Sequence, residues 1–471
     1  MNKNKRTIVI AIMIVMFLVA FEGTVVTTAM PTIAKDLQGY NLISLVFAAY
    51  LLTSAVSTPI YGKFSDLYGR KKTLSIGIII FLIGSSLCGL SQTMIQLIIF
   101  RALQGIGAGS IFTVTYTIVG DIFELSEKAK VQGFLSTVWG IATLLGPFLG
   151  GFLIDYLSWH WIFFINIPFG LLSIFMLKKN LEEVIVPNNA KTDYLGALFL
   201  TIAIVSILLT AFSNSINYKI IFLILAIISI IIFYFVEKKS DEPIVPFDIF
   251  TRNIVLVNLI CFFIAGLLMG IEAYTPIFTQ NILGYNPTIS GLTMAPMSIS
   301  WILSSFILSK ALPKYGAKNI IQLSLLILIL SSVCLSFLKV NTSIIFLIIP
   351  LIFMGFSFGG IFTTSTIAVQ DDVSADRIGV STSTNTLIRT LGQTIVVSIF
   401  GGISTSSVTN YFNAIGMNGI TSENVYSSKA TTIQIQNAFY NGIHNIYSIL
   451  FIIAIACLII SLGIKNTQLK K

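Results

Sequence analysis

The chain has 471 residues, of which 55% are apolar and only 10% charged, and its mean hydropathy is +0.91. A soluble domain carries about a quarter charged residues, so a soluble enzyme or a water-exposed binding module is excluded for most of the length. The net charge of +9 would invite a nucleic-acid partner if it formed a patch, but it is scattered along the chain. Fourteen apolar runs are predicted as helices of about the 20 residues a bilayer needs, at about 7–30, 42–62, 73–91, 95–118, 131–154, 159–177, 194–213, 218–237, 254–280, 287–309, 319–338, 343–366, 381–404 and 439–464. The first run carries Glu22 and reaches too far for a signal peptide, so it is expected to be retained as a span. Cys88, Cys261, Cys334 and Cys457 fall inside spans with no metal spacing and are expected to pack as small residues. His160 and His444 stand too far apart to suggest a metal site.

An even number of spans puts both termini on one side. With that side cytoplasmic, the outside loops hold only Lys35, Lys219, Lys339 and Lys429, and Arg101 and Arg389 remain inside spans. Every other Lys and Arg falls inside, as the positive-inside rule requires. The charge is therefore a topology signal and implies no nucleic-acid partner. Two loops exceed connector length: an inside linker at 178–193 and an outside, Ser/Thr/Asn-rich stretch at 405–438.

An internal repeat runs through the chain once spans 7 and 8 are set aside. Gly39-Tyr40-Asn41 recurs as Gly284-Tyr285-Asn286, Tyr68-Gly69 as Tyr315-Gly316, and Gly105 with Gly109 as Gly355 with Gly359, at a near-constant offset. Parallel halves of six spans are one way secondary transporters are built, with the site between them. The predicted fold is an all-α integral membrane protein of 14 transmembrane helices: two pseudo-symmetric six-helix bundles, 1–178 and 254–471, joined by a cytoplasmic linker with two inserted helices, 179–253.

Four motifs carry chemistry. Between spans 2 and 3 stand Gly62, Asp66, Gly69, Arg70, Lys71 and Lys72. The glycines allow helix ends to approach, and Asp66 can cap a helix or pair with a base. This resembles the loop 2–3 motif of the major facilitator superfamily, G-x-x-x-D-x-x-G-R-K/R-K/R. Span 4 reads Arg101-Ala102-Leu103-Gln104-Gly105-Ile106-Gly107-Ala108-Gly109, which is similar to that superfamily's R-x-x-Q-G-x-G-A-A. Span 5 holds Gly140, Gly146, Pro147, Gly150 and Gly151, which resemble the antiporter motif G-x(5)-G-P-x-x-G-G. Small residues there let helices touch backbone to backbone. Span 1 reads Phe21-Glu22-Gly23-Thr24-Val25-Val26-Thr27, similar to the span 1 motif of fourteen-span drug:proton antiporters, with Glu22 in place of their Asp and Thr27 in place of their Asn. Trp159-His160-Trp161-Ile162-Phe163-Phe164-Ile165-Asn166-Ile167-Pro168 resembles the opening of their span 6, with His160 where they have Arg.

A carboxylate or guanidinium in a span is costly unless it meets a partner or water, so Glu22, Glu272, Arg101 and Arg389 are candidate proton and substrate residues. Glu272 stands at the repeat equivalent of Glu22. Arg101 is expected near the depth of Glu22, where a guanidinium would favour the ionised acid and a bound proton would weaken the pair. A purely structural ion pair is the alternative for Glu22, and a hydrogen bond from a nearby Tyr or Thr to a neutral carboxyl is the alternative for Glu272. The resemblance implies a monomeric, non-enzymatic proton antiporter in the cell membrane, and the 22 Lys against 6 Arg, with many Ile and Asn, point to a bacterial genome rich in A and T. It would export lipophilic, cationic small molecules by alternating access, with small-molecule substrates, protons and the lipid bilayer as partners. No cofactor is expected, and no Walker loop occurs. A dedicated exporter of one compound class (tetracycline, an amino acid or a lipid precursor) would share these features.

Overall fold

In lipid the backbone must satisfy its own hydrogen bonds, and long apolar runs do so as helices. The computed structural model describes all residues except 1, 2, 124, 183–192, 214, 241, 242, 246, 375, 376 and 466–471, together with the side chains of 3, 63, 66, 125–130, 132, 133, 136, 211, 212 and 309. The helices are α1 (Lys3–Asp36), α2 (Ile43–Tyr68), α3 (Arg70–Gly89), α4 (Met94–Ile122), α5 (Leu125–Tyr156), α6 (His160–Phe164), α7 (Asn166–Asn180), α8 (Tyr194–Phe212), α9 (Ile216–Lys239), α10 (Arg252–Ile277), α11 (Pro287–Ser336), α12 (Ile344–Asp371), α13 (Ile378–Ala414) and α14 (Thr432–Leu462). Several begin on side-chain caps that satisfy first-turn N–H groups. Thr93, Thr251 and Asn286 accept from Gln96, Ile254 and Ile289, and Thr431 forms a capping box with Gln434.

Among the described residues, 13 segments are long and apolar enough to cross a membrane, and Tyr194–Thr210 is a shorter apolar helix. The helix list differs from the span list in two places. The sixth span breaks at Ile165 into α6 and α7. The tenth and eleventh spans, Pro287–Leu308 and Lys310–Ser336, meet without a loop at a kink on Gly316, so the two helices run on as the single stretch α11.

That interruption is the repeat in three dimensions. Gly69 joins α2 to α3 at φ 92°, ψ 152°, and Gly316 sits inside α11 at φ 77°, ψ 158°. A side chain at positive φ is strained, so each turn favours glycine. The two glycine pairs on α4 and α12 act alike as well. A Cβ on Gly105 or Gly109 would lie 2.4 or 2.7 Å from the carbonyl oxygens of Tyr50 and Ser54 on α2. One on Gly355 or Gly359 would lie 2.1 or 2.4 Å from those of Met297 and Trp301 on α11. Each glycine thus marks backbone-to-backbone contact between corresponding helices of the two halves.

The outside stretch expected at 405–438 is shorter than its composition suggests. α13 continues to Ala414, α14 begins at Thr432, and a short turn of helix spans Val425–Ser427 between them. The Ser and Thr residues do not end α13. Thr409 donates to the carbonyl of Thr405, and Val408 and Phe412 are fully buried. The apolar stripe outweighs the polar composition.

The halves meet along two seams, α5 against α11 and α2 against α13, with α1 crossing α10 near the centre. The inserted pair α8–α9 packs over the second seam, where Leu200, Ile204 and Leu208 of α8 join Ala48 and Leu52 of α2 and Leu391 of α13. The hydrogen bonds recorded between the halves run from the middle of the seam to the end away from Arg70. They are Ser298 Oγ to the Thr143 carbonyl (3.4 Å), Gln280 Nε2 to the Thr28 carbonyl (2.8 Å), Thr32 Oγ1 to Gln280 Oε1 (3.5 Å), Tyr40 Oη with Ser404 Oγ (2.7 Å), and the N–H (3.0 Å) and hydroxyl of Thr288 to Asp155. The largest buried apolar cluster joins both halves at that end and continues down the second half to Leu312, Ala317 and Ile464. A separate cluster belongs to α1–α7 at the end bearing Arg70.

Candidate functional site

α1 and α10 bring the two span carboxylates to the centre of the molecule, but into different surroundings. Glu22 is fully buried within the first half. Its Oε1 accepts a 2.8 Å hydrogen bond from Arg101 Nη1, and its Oε2 accepts one of 2.7 Å from Asn166 Nδ2. Arg101 Nη1 also donates to Gln104 Oε1 at 2.8 Å, and the guanidinium lies 4.1 Å from the centroid of the Tyr50 ring. Asn166 is anchored by Ser85, at 2.9 Å from its hydroxyl, which itself donates to the Phe163 carbonyl. Helices α1, α2, α3, α4, α6 and α7 therefore converge on one buried ion pair. In so dry a place the pair attracts strongly, and loss of either member would leave the other as an uncompensated charge.

Glu272 is placed differently. It lines a cavity in the seam with Thr24 and Thr27 of α1, Thr143 and Pro147 of α5, and Met294, Met297 and Ser298 of α11. It makes no hydrogen bond or ion pair among the described residues, so the bond to a neighbouring Tyr or Thr left open by the sequence is not formed. A lone carboxylate beside hydroxyls and thioethers can attract a cation or a proton and offers a soft apolar wall to the rest of a ligand.

The antiporter-motif glycines divide between two contacts. A Cβ on Gly146 or Gly150 would strike Thr24 or Val25 of α1, and one on Gly151 would lie 2.3 Å from the Pro287 carbonyl oxygen of α11. From the opposite side, a Cβ on Gly291 would lie 1.9 Å from the Pro147 carbonyl oxygen. Gly140 has more room, with Ile302 at 3.4 Å. The motif is thus a close-packed face of α5 that closes the seam toward the end away from Arg70.

At the other end Arg70 ties three helices together. Its Nε donates to Asp121 of α4 at 2.9 Å and its Nη1 to Ser65 of α2 at 2.8 Å. Gly62 has ordinary contact room, with Thr113 at 3.4 Å, so positive φ at Gly69 is the stronger demand for glycine in this loop. Lys72 lies over the Tyr68 ring, Lys71 is engaged as well, and the side chain of Asp66 lies outside the described residues. Arg389 is not near the Glu22 pair. It bonds to the Phe362 carbonyl (2.9 Å) and the Thr366 hydroxyl (2.8 Å) of α12.

Sequence reasoning singled out Glu22, Arg101 and Gln104 but not the roles of Asn166, Ser85 and Tyr50. Asn166 stands in a quoted motif. The other two carry no sequence signal, because small polar residues and tyrosines are scattered through many spans.

The fold and the site define a membrane transporter built from two six-helix halves. The family model described as Major Facilitator Superfamily matches residues 12–194 and 194–397. The chain belongs to that superfamily, whose members are transporters and not enzymes. It is 34% identical over 418 residues to Multidrug resistance protein 3 of Bacillus subtilis, covering 87% of this chain and 81% of that protein. It is also 34% identical over 406 residues to Multidrug efflux pump SdrM of Staphylococcus aureus, covering 83% and 88%. Among solved structures, a bacterial homolog of the human lysosomal transporter Spinster, inward-facing and unoccupied, superposes with a TM-score of 0.71 at 16% identity over 98% of each chain. A D-xylose–proton symporter gives 0.67 at 12% identity over 100% of each.

Proposed function

We propose that the protein exports lipophilic, cationic drugs from the cytoplasm in exchange for protons. The observation that carries the reading is the contrast between the two span acids: Glu22 is sealed against Arg101, while Glu272 stands unpaired in the seam between the halves. The names of the relatives, a multidrug resistance protein and a multidrug efflux pump, support drug export. The basic end carrying Arg70, Lys71 and Lys72 is the cytoplasmic face by the positive-inside rule, with both termini there.

In this orientation the bonded end of the seam faces outward, as in a carrier poised to accept cytoplasmic substrate. A cationic drug enters between the halves and meets Glu272, displacing its proton. The halves then rock, and the glycine contacts of α5 with α11 part on the outside. After release outside, the acid reprotonates and the loaded carrier resets. Glu22 contributes through its pair with Arg101: a proton on Glu22 weakens the pair and loosens α1 from α4, which links protonation to movement of the first half. The division into 1–178, 179–253 and 254–471 makes the two bundles the moving bodies, with α8–α9 carried over the α2–α13 seam. The protein functions as a monomer in a bacterial cell membrane.

A growth-inhibition panel tests the export reading. A drug-sensitive bacterial host expressing the protein should tolerate at least about fourfold more of several unrelated lipophilic cations than the same host without it. Protection against a single compound class alone would favour the dedicated exporter instead.

A further inference from the structure

Three of the helices around the seam cavity carry a proline inside the helix: Pro31 in α1, Pro147 in α5 and Pro276 in α10. Proline has no N–H, so the carbonyl four residues before it loses its helical donor. Those carbonyls belong to Thr27, Thr143 and Glu272, and all three residues line the cavity. Residues i and i+4 share one face of a helix, so each released carbonyl opens on the side its residue turns to the cavity. Ser298 reaches across the seam to the Thr143 carbonyl at 3.4 Å. No described side chain donates to the carbonyls of Thr27 or Glu272. At membrane depth an unbonded carbonyl is costly and is tolerated where it meets water or a ligand.

The hydroxyls of the cavity sharpen the point, because their hydrogens are already engaged. Thr24 donates to the Phe21 carbonyl (3.1 Å), Thr27 to the Thr24 carbonyl (2.6 Å), Thr143 to the Trp139 carbonyl (2.9 Å), and Ser298 as above. What remains for a ligand is one carboxylate, released carbonyls and hydroxyl lone pairs, all of them acceptors. The free space between them holds about one water-sized group.

We propose that this cavity is a headgroup subsite for protonated amines that carry N–H bonds, a primary ammonium above all, and that it discriminates against quaternary ammonium ions of the same charge. The proposal rests on the export reading above and narrows it. Three N–H groups on one nitrogen can reach the Glu272 carboxylate and the released carbonyls together, as charge-assisted hydrogen bonds. A quaternary nitrogen offers no donor, and its methyl groups exceed the space.

Naphthalen-1-ylmethylammonium and its N,N,N-trimethyl derivative test this, since both carry one positive charge at pH 7 on the same ring. The quaternary ion has more apolar area, so without the carbonyls it would bind at least as well. Binding to the purified full-length protein is read by isothermal titration, and transport by uptake into energised everted vesicles. Wild type should bind the primary ion roughly tenfold or more tighter than the quaternary one. Pro276→Ala gives the Glu272 carbonyl back its helical donor and leaves the carboxylate in place. It should weaken the primary ion several-fold and change the quaternary ion less than twofold. Pro350→Ala in α12 is the control for straightening a helix: the carbonyl it would re-bond is that of Phe346, 64% exposed on the outer surface, and both affinities should stay at wild-type values. Equal or tighter binding of the quaternary ion by wild type, or equal effects of Pro276→Ala on both ions, overturns the subsite, and uptake of both ions would then leave the export reading in place. If wild type neither binds nor transports either ion, the export reading falls together with the subsite.

Discussion

Glu22→Gln is expected to abolish efflux driven by a pH gradient and to lower thermal stability at the same time. The first effect follows from removing the titratable group at nearly constant volume. The second follows from the geometry: Arg101, 1% exposed, keeps its charge but loses the carboxylate 2.8 Å away. Breaking one side of a buried ion pair costs about 3–5 kcal/mol, because the remaining charge has no water to turn to. Asn166 and Gln104 soften the loss but carry no charge. The double variant Glu22→Gln with Arg101→Gln separates the two effects. It should recover most of the melting temperature of the purified protein, since no lone charge remains, yet still fail to couple efflux to protons. Recovery of coupled efflux in the double variant would mean that the pair only holds α1, α4 and α7 together. Wild-type melting in Glu22→Gln alone would contradict the ion pair itself.

Glu272→Gln should leave stability nearly unchanged and strike at selectivity. Nothing among the described residues pairs with this carboxylate, so its neutralisation strands no partner. A cationic substrate would lose one partly desolvated charge interaction, about 1–3 kcal/mol, or roughly ten- to a hundredfold in apparent affinity. A neutral substrate should be affected little. Concentration-dependent efflux of a cationic and a neutral compound, measured side by side in wild type and variant, reads the difference. Equal losses for both would make Glu272 part of the coupling or the fold instead of a selector of charge.

Much of this architecture was legible in the sequence because membrane physics leaves few choices. Runs of about twenty apolar residues become helices. The glycine pairs at 105/109 and 355/359 were legible as a repeat, and the structure shows their use, close approach to the backbone of Tyr50, Ser54, Met297 and Trp301. The helix ends were less legible. α13 and α14 extend into the Ser/Thr/Asn-rich stretch because Val408, Phe412 and Ala438 bury one face each, a stripe that composition hides. The kink that divides α11 at the basic turn Lys310–Lys318 rests on Gly316, which the repeat matches to Gly69, but that the two helices meet there without a loop is seen only in the structure.

The acids were legible as residues but not in their environments. Equal spacing in the repeat made Glu22 and Glu272 look equivalent. What separates them is which neighbours the other helices bring: Arg101 and Asn166 to one, Met294, Met297 and Ser298 to the other. Those contacts join positions far apart in the chain, beyond the reach of any local pattern. The four span charges likewise sort into a neutralised pair and two unpaired groups only when the helices are assembled.

The claim at the centre is that drug leaves in exchange for protons. The purified protein in proteoliposomes, oriented with the basic end outward and loaded with acid buffer, tests it when a fluorescent lipophilic cation is added outside and a pH gradient is imposed. The dye should accumulate inside against its own gradient while the lumen alkalinises in step. Accumulation should stop when a proton–potassium exchanger collapses the gradient, and it should be absent with Glu22→Gln. Dye uptake that continues at the same rate after the pH gradient is collapsed, or that proceeds with no alkalinisation of the lumen, would contradict proton antiport.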